Sequence, residues 1–238
     1  MIKVQVVHVG LRYFILLNLL LLMSCQANEK KLNSENDILC IGSDNSKYGA
    51  IYLHGTDSVD PSEQEKKNRE ILQSISKRFD IKVALPRAKD LCDQSKDQLC
   101  WGWKFDQDEV NKIQNIIESS SKICKLPSRK ILIGFSNGAY ALNKLFRLCY
   151  LKQDQTIISQ GANTLRGPLE YNTRNLSNCG KLIFISGKKD KYNYDTSNSY
   201  SKKLVEKSAH VEIVEFEGGH EMDLESLSDA IKSSIQTK

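Results

Sequence analysis

A serine flanked by glycines follows an apolar run in the middle of the chain. Residues 131 to 140 read ILIGFSNGAY, so that Gly134, Ser136 and Gly138 match the pattern G-x-S-x-G. The residues before the serine are typical of a buried strand, and those after it of a helix. Glycines on both sides leave room for a sharp turn that would present the Ser136 hydroxyl above a sheet edge. The pattern predicts a nucleophile, with a glycine-rich turn and a helix-capping serine as the alternative.

A nucleophilic serine needs a base, and the chain contains four histidines. His220 follows the apolar run VEIVEF and two glycines, which give its loop freedom to reach inward. His54 precedes the serine in LHGT, and we expect it to shape a loop. His220 is therefore the predicted general base.

An acid must orient the imidazole and stabilise its charged form. Asp190 follows the strand-like run KLIFIS by four residues and lies between Ser136 and His220 in the chain. Asp195 is a possible substitute. The chain order serine, acid, histidine predicts Asp190 as the acid.

Two backbone amides are candidates for holding an oxyanion. The Asn137 amide would lie at a helix N-terminus, where N–H groups are free. Gly55 allows a tight turn after the strand-like run YGAIYL, so that Thr56 can present a second amide.

Short apolar runs alternate with helix-like segments along the chain, and the informative residues follow the runs. This alternation predicts an α/β fold with a mostly parallel central sheet and helices on both faces. The segment between residues 160 and 181 is too short for more than a small flap, so we expect a minimal cap. The predicted catalytic domain spans residues 47–238.

With these motifs in order, the sequence resembles the α/β-hydrolases, and within them the small phospholipase/carboxylesterase group. The resemblance rests on LHGT, on LPRA followed by a tryptophan segment, and on GFSNGA, SGKKD and EGGHE. It implies Ser136 as nucleophile, His220 as base and Asp190 as acid. It also implies the amides of Thr56 and Asn137 as oxyanion donors.

The tryptophan segment departs from the pattern of these relatives. It reads CWGW here, where they have a tryptophan followed by an aromatic residue and an acid. Ala139 also stands where a glycine is frequent. Trp101 and Trp103 are candidates for lining a substrate pocket, and the alternative is that they pack beneath their loop.

The N-terminal residues have the pattern of an export signal. MIKVQVVHVGLR carries two basic residues and no acid, and the apolar core that follows ends in Leu22-Met23-Ser24-Cys25. This end resembles a bacterial lipobox. It predicts a lipoprotein signal peptide over residues 1–24, a lipid on Cys25 and a tether and first strand over residues 25–46. A plain signal peptide or an uncleaved anchor starting near Val4 is the alternative, and Gln26 favours the outer membrane.

Without Cys25, six cysteines remain, which suggests disulfides in an exported protein. Cys92 and Cys100 bracket a short polar loop and are the one pair that the sequence suggests locally. Buried free thiols are the alternative.

We therefore expect a serine hydrolase of carboxylic esters or thioesters, whose mechanism requires no metal or organic cofactor. The chain has no CxxC or HExxH pattern, which gives little support for a zinc site. A net charge of +5, dispersed along the chain, gives no support for nucleic-acid binding. The expected partners are a small-molecule or lipid ester and, through the N-terminal lipid, a membrane. The alternatives are a peptidase or acyltransferase with the same triad, or a non-catalytic binding lipoprotein on this scaffold.

Overall fold

The computed structural model describes residues 38–58, 61–88, 90–91, 100–103, 107–128, 130–151, 153–162, 176–206 and 209–236. The larger sheet in this part of the chain has seven strands. They are β1 (Ile38–Ile41), β2 (Tyr48–Leu53), β4 (Ile81–Pro86), β7 (Lys130–Phe135), β8 (Thr156–Gln160), β9 (Lys181–Gly187) and β10 (His210–Phe216). A smaller sheet contains β3 (Asp57–Ser58), β5 (Asp90–Leu91) and β6 (Cys100–Gly102).

The larger sheet is parallel except at one edge. Its strand order is β1-β4-β2-β7-β8-β9-β10, and β1 alone pairs antiparallel with its neighbour. The carboxyl ends of the six parallel strands therefore share one edge, where open α/β sheets bind ligands. The predicted, mostly parallel sheet is confirmed.

The strands read as continuous apolar runs because both faces of the sheet are covered. Ile51 and Leu53 of β2 lie in one buried cluster, whereas Ala50 and Tyr52 lie in the other. Successive side chains of a strand point to opposite faces, so each strand contributes to both cores.

The helices of the described residues cover both faces, as the alternating pattern predicts. They are α1 (Glu63–Phe79), α2 (Gln107–Ile123), α3 (Asn137–Arg147), α4 (Lys191–Val205) and α5 (Leu224–Gln236). Leu72 of α1 and Leu227 of α5 lie in the cluster that contains Tyr52. Val110 of α2, Leu142 of α3 and Leu204 of α4 lie in the opposite cluster.

Two helix boundaries differ from the sequence pattern. The apolar spacing predicts that α4 begins near Thr196, but it begins at Lys191, directly after Asp190 at the N-cap position. The pattern predicts that α3 continues to residue 151, but it ends at Arg147. Cys149 then adopts a left-handed conformation with φ 55°, which ends the helix.

Two disulfides join elements that are distant in the sequence. Cys40 of β1 pairs with Cys124, which follows α2, and Cys149 pairs with Cys179, which precedes β9. These bridges confirm disulfide bonding among the six remaining cysteines. The predicted Cys92–Cys100 pair cannot be located, because Cys92 and the side chain of Cys100 lie outside the described part of the chain. The predicted lipidation site Cys25 and most of the predicted flap also lie outside it. No described helix is long and apolar enough to cross a membrane.

Candidate active site

Ser136 occupies a strained turn between β7 and α3. Its backbone has φ 49° and ψ −115°, and positive φ is uncommon for a residue with a side chain. Although Ser136 stands at the N-cap position of α3, its hydroxyl makes no capping hydrogen bond. The turn therefore leaves the hydroxyl available to other partners, as in a nucleophile elbow.

The two glycines of the motif are required by close backbone contacts. A Cβ on Gly138 would lie 2.1 Å from the carbonyl oxygen of Leu53, and one on Gly134 would lie 2.6 Å from Cα of Ala139. Both distances are far below van der Waals contact. The start of α3 thus packs directly on the ends of β2 and β7, which fixes the height of Ser136 above the sheet.

The structure brings the three predicted triad residues into one hydrogen-bonded chain. His220 Nε2 lies 3.0 Å from Ser136 Oγ, and His220 Nδ1 lies 2.7 Å from Asp190 Oδ2. Since a carboxylate only accepts, Nδ1 carries the proton and donates it to Asp190. Nε2 is then the acceptor for the Ser136 hydroxyl, so the imidazole is in the tautomer that a general base needs.

The loops that carry Asp190 and His220 are packed against each other after β9 and β10. The amide of Lys188 donates to the Phe216 carbonyl, and the amide of Lys189 to the Gly218 carbonyl, each at 2.9 Å. A Cβ on Gly187 would lie 2.4 Å from the Gly219 carbonyl oxygen, so only glycine allows this approach. Asp190 and His220, the predicted acid and base, are therefore positioned by backbone contacts between their loops.

His220 lies at the surface, whereas Asp190 is mostly covered. The side chain of His220 is 46% exposed and that of Asp190 is 15% exposed. One face of the imidazole packs on Phe135, with ring centroids 5.3 Å apart. Solvent and a substrate can therefore reach the imidazole, while the charge that supports it is shielded.

The loop after β2 lies beside the serine. A Cβ on Gly55 would lie 3.3 Å from the Ser136 Cβ, a tight contact that would require the neighbouring atoms to shift by a few tenths of an ångström. Thr56 follows Gly55, and Asn137 follows Ser136. Neither the Thr56 nor the Asn137 amide donates to an acceptor among the residues that the structure describes. Both are thus free to serve as donors near the serine.

His54 holds this loop in place through hydrogen bonds on both ring nitrogens. Its Nδ1 donates to the Gly55 carbonyl at 2.5 Å, and its Nε2 accepts from the Ala88 amide at 2.9 Å. The imidazole is buried, with 5% of the residue exposed. The neutral imidazole therefore stabilises the conformation of the loop, which is the role that the sequence suggests for His54.

Trp103 stabilises the same loop through its contacts with His54 and Asn137. Its indole N–H donates to the His54 carbonyl at 2.9 Å, its ring packs on the His54 ring, and its amide donates to the Asn137 side chain at 2.5 Å. With 5% of the residue exposed, Trp103 supports the loop, the second of the two roles considered for it. A part for it in a substrate pocket stays a prediction, and the side chain of Trp101 is outside the described part of the chain.

We expect the protein to lose stability below about pH 6.5 through His54. Burial lowers the pKa of this imidazole from the ordinary value of 6.5. The unfolded chain then binds the proton more tightly than the folded one, so acidification below 6.5 lowers the free energy of unfolding, by up to about 1.4 kcal/mol per pH unit. Urea denaturation of His54→Gln should show a weaker pH dependence between pH 7 and 5. Equal slopes for the two proteins would contradict this expectation.

Two residues outside the motifs also contact the predicted triad residues, Gln160 through its backbone carbonyl and Asn193 through its side chain. Gln160, at the end of β8, accepts from the Ser136 amide at 2.8 Å through its carbonyl, and its side-chain amide donates to the Glu221 carbonyl at 2.9 Å. Asn193 donates to Asp190. A polar residue ending a buried strand at the ligand edge is a signal that could have identified Gln160. Asn193 has no such signal.

The described residues contain no cluster of side chains suited to binding a metal ion. Among the described residues, no group of three or more His, Cys, Asp or Glu side chains could hold a metal ion. The arrangement built from Ser136, His220 and Asp190 can perform nucleophilic catalysis with proton transfer.

Solved structures share this architecture at low sequence identity. YahD with malic acid superposes with a TM-score of 0.60 at 18% identity, covering 85% of this chain and 99% of that one. A Bacillus cereus carboxylesterase superposes with a TM-score of 0.57 at 15% identity, covering 84% of this chain and 93% of that one. Zea mays acyl-protein thioesterase 2 superposes with a TM-score of 0.57 at 15% identity, covering 82% of this chain and 96% of that one. No model of a protein family matches the chain, and neither does any curated protein. On its sheet order, its helices and these neighbours, the chain has the α/β-hydrolase fold.

Proposed function

We propose that this protein is a serine hydrolase that cleaves carboxylic esters or thioesters through an acyl-serine intermediate. The observation that carries the proposal is the position of His220, within hydrogen-bond distance of both Ser136 Oγ and Asp190 Oδ2. Two of the structural neighbours are a carboxylesterase and an acyl-protein thioesterase, which supports the same reaction class.

In the first half-reaction, Ser136 attacks the carbonyl carbon of the ester. His220 Nε2 takes the hydroxyl proton as the Oγ–C bond forms, and Asp190 stabilises the resulting imidazolium. The oxyanion accepts hydrogen bonds from the Thr56 and Asn137 amides, each worth about 3 kcal/mol of barrier in such sites. The C–O or C–S bond then breaks, and His220 gives its proton to the leaving alcohol or thiol.

In the second half-reaction, water takes the place of the alcohol. His220 removes a proton from the water as its oxygen attacks the acyl carbon. The bond between that carbon and Ser136 Oγ breaks, the proton returns to Oγ, and the carboxylic acid leaves. The exposed imidazole suits this step, because water reaches it without a conformational change.

Two other functions remain candidates. A peptidase or acyltransferase would use the same triad, because the attack on the carbonyl is common to all three reactions. A binding lipoprotein would keep the scaffold without turnover. The tautomer of His220 and the unoccupied amides of Thr56 and Asn137 favour an enzyme.

Hydrolysis of p-nitrophenyl acetate, butyrate and longer esters, measured beside a peptide panel, tests the proposal. We expect turnover of one or more esters and no cleavage of the peptides. Peptide cleavage would indicate the peptidase, and no turnover of either panel would indicate the binding protein.

The proposal includes an anchored, exported location. Export is supported by the two disulfides, which form and persist in oxidising compartments. In this proposal residues 1–24 are removed, Cys25 carries the lipid, and the domain over 47–238 acts on small or lipid esters at a membrane surface.

Metabolic labelling with a palmitate analogue tests the anchor. The wild-type protein should take up the label and fractionate with membranes, because lipid chains on Cys25 bury in the bilayer. Cys25→Ser should do neither, and Cys92→Ser serves as the matched control. Equal labelling of wild type and Cys25→Ser would contradict the anchor.

A further inference from the structure

The carboxylate of Asp190 has two possible sets of partners. Asp190 stands at the N-cap position of α4, where an aspartate side chain ordinarily accepts from the backbone N–H of the second or third helical residue. These are the amides of Tyr192 and Asn193. The carboxylate makes no such capping bond and instead accepts from His220 Nδ1. Something must hold it away from its own helix.

The side chain of Asn193 is in the position to do so. Its Nδ2 donates a short hydrogen bond to Asp190 Oδ2, the oxygen that also accepts the His220 proton. The same Nδ2 lies 3.3 Å from His220 Nδ1. The side-chain amide thus takes the place of the backbone donor and fixes the oxygen that faces the imidazole.

The carboxylate also fixes the direction of the Asn193 amide. Turning the amide over would put its oxygen against Asp190 Oδ2, and two acceptors would then be in contact. In the observed direction the Asn193 Oδ1 is buried and has no partner among the described residues. An unpartnered buried oxygen is costly, so the contact with Asp190 decides how this side chain lies.

From this geometry we infer that Asn193 is a positioning residue, which keeps the Asp190 carboxylate directed at His220 and prevents it from capping α4. The inference rests on the proposed function for its catalytic consequence. Without the side-chain amide, the carboxylate is free to turn toward the helix amides. The imidazole then loses its fixed tautomer and orientation, while the helix gains a cap.

The charged and titratable groups around this cluster have other partners or are exposed to solvent. Lys188 pairs with Glu217, and the Tyr194 hydroxyl donates to Glu215. Lys189, Lys191, Asp195 and Glu221 are exposed. A change in a variant can therefore be assigned to the lost amide.

Activity of the whole chain in mild detergent tests the inference. Asn193→Ala should lower kcat for the best p-nitrophenyl ester about tenfold to a hundredfold with KM within about twofold, as expected for a misdirected catalytic group. Its Tm should stay equal or rise, because Asp190 can now cap α4. Asn193→Gln, which keeps an amide that can reach back, should retain at least about a third of kcat.

The matched control is Asn198→Ala, the same substitution further along α4. Asn198 interacts with Tyr194 and has no contact with the triad, so kcat should be unchanged. An Asn193→Ala enzyme with wild-type kcat would overturn the inference. A loss of kcat that accompanies a fall in Tm, and that Asn193→Gln does not restore, would also overturn it, since a structural role would then suffice.

The tautomer of His220 gives a readout that needs no substrate. In ¹⁵N NMR spectra above pH 8, Ser136→Ala should show His220 protonated on Nδ1, and Ser136→Ala with Asn193→Ala should show a mixture of tautomers. Identical tautomers in both would refute the role of Asn193. If the wild-type protein hydrolyses no ester, the proposed function fails, and this comparison still decides the inference.

Discussion

Ser136→Ala is expected to lower kcat for the best ester by about 10⁶-fold, the loss seen when the nucleophile of such a triad is removed. The alanine has no oxygen to form the acyl-enzyme, so the two-step route is closed. What remains is the slower direct attack of water near the oxyanion donors. Steady-state hydrolysis of p-nitrophenyl butyrate by wild type and variant measures the ratio.

The control for this change is Ser199→Ala, on the exposed side of α4. This variant also removes one serine hydroxyl, but at a position away from the site, so kcat should be unchanged. The fold should survive in both variants, because the strained turn at residue 136 is set by the contacts of Gly134 and Gly138. Residual activity above about a thousandth of wild type in Ser136→Ala would contradict a nucleophilic role.

Asp190→Asn is expected to lower kcat by about 10⁴-fold with little change in Tm. The substitution keeps the shape, but the new amide can donate to His220 Nδ1 and so favours the tautomer with the proton on Nε2. That tautomer cannot accept the proton of Ser136. Steady-state hydrolysis of the best p-nitrophenyl ester by the wild type and the variant gives the ratio of the two kcat values.

Asp195→Asn provides the matched control, because the sequence leaves Asp195 open as a substitute acid. In the structure, Asp190 accepts the hydrogen bond from His220 Nδ1 at 2.7 Å. Asp195 lies exposed on α4. The control should therefore keep wild-type kcat. A larger loss in Asp195→Asn than in Asp190→Asn would show that the acid has been assigned to the wrong residue.

Features that depend on local pattern could be predicted from the sequence. The parallel strands appear as apolar runs because both faces of the sheet are buried. β7 (Lys130–Phe135) includes the apolar run before Ser136 that predicts a strand. The turn at Ser136 follows from two glycines, a strand before it and a helix after it. Candidate residues for the base and the acid follow from the ends of later strands, which a parallel sheet brings to one edge.

Features that depend on contacts between distant segments could not be predicted in this way. Cysteine spacing suggests Cys92 with Cys100, whereas the bridge between Cys40 and Cys124 depends on how β1 and α2 meet in the fold. Asn193 is a polar residue on a helix surface until Asp190 and His220 approach it, and no spacing in the sequence signals that approach.

Labelling with a fluorophosphonate tests the central claim most directly, because the reagent reacts with an activated serine and needs no knowledge of the substrate. Trypsin releases residues 131–144, a peptide in which Ser136 is the only serine. We predict one adduct per chain, located on Ser136, and none in Ser136→Ala or in wild type unfolded beforehand. A folded wild-type protein that takes no label, or that takes it on another residue, would contradict the assignment of Ser136 as the nucleophile.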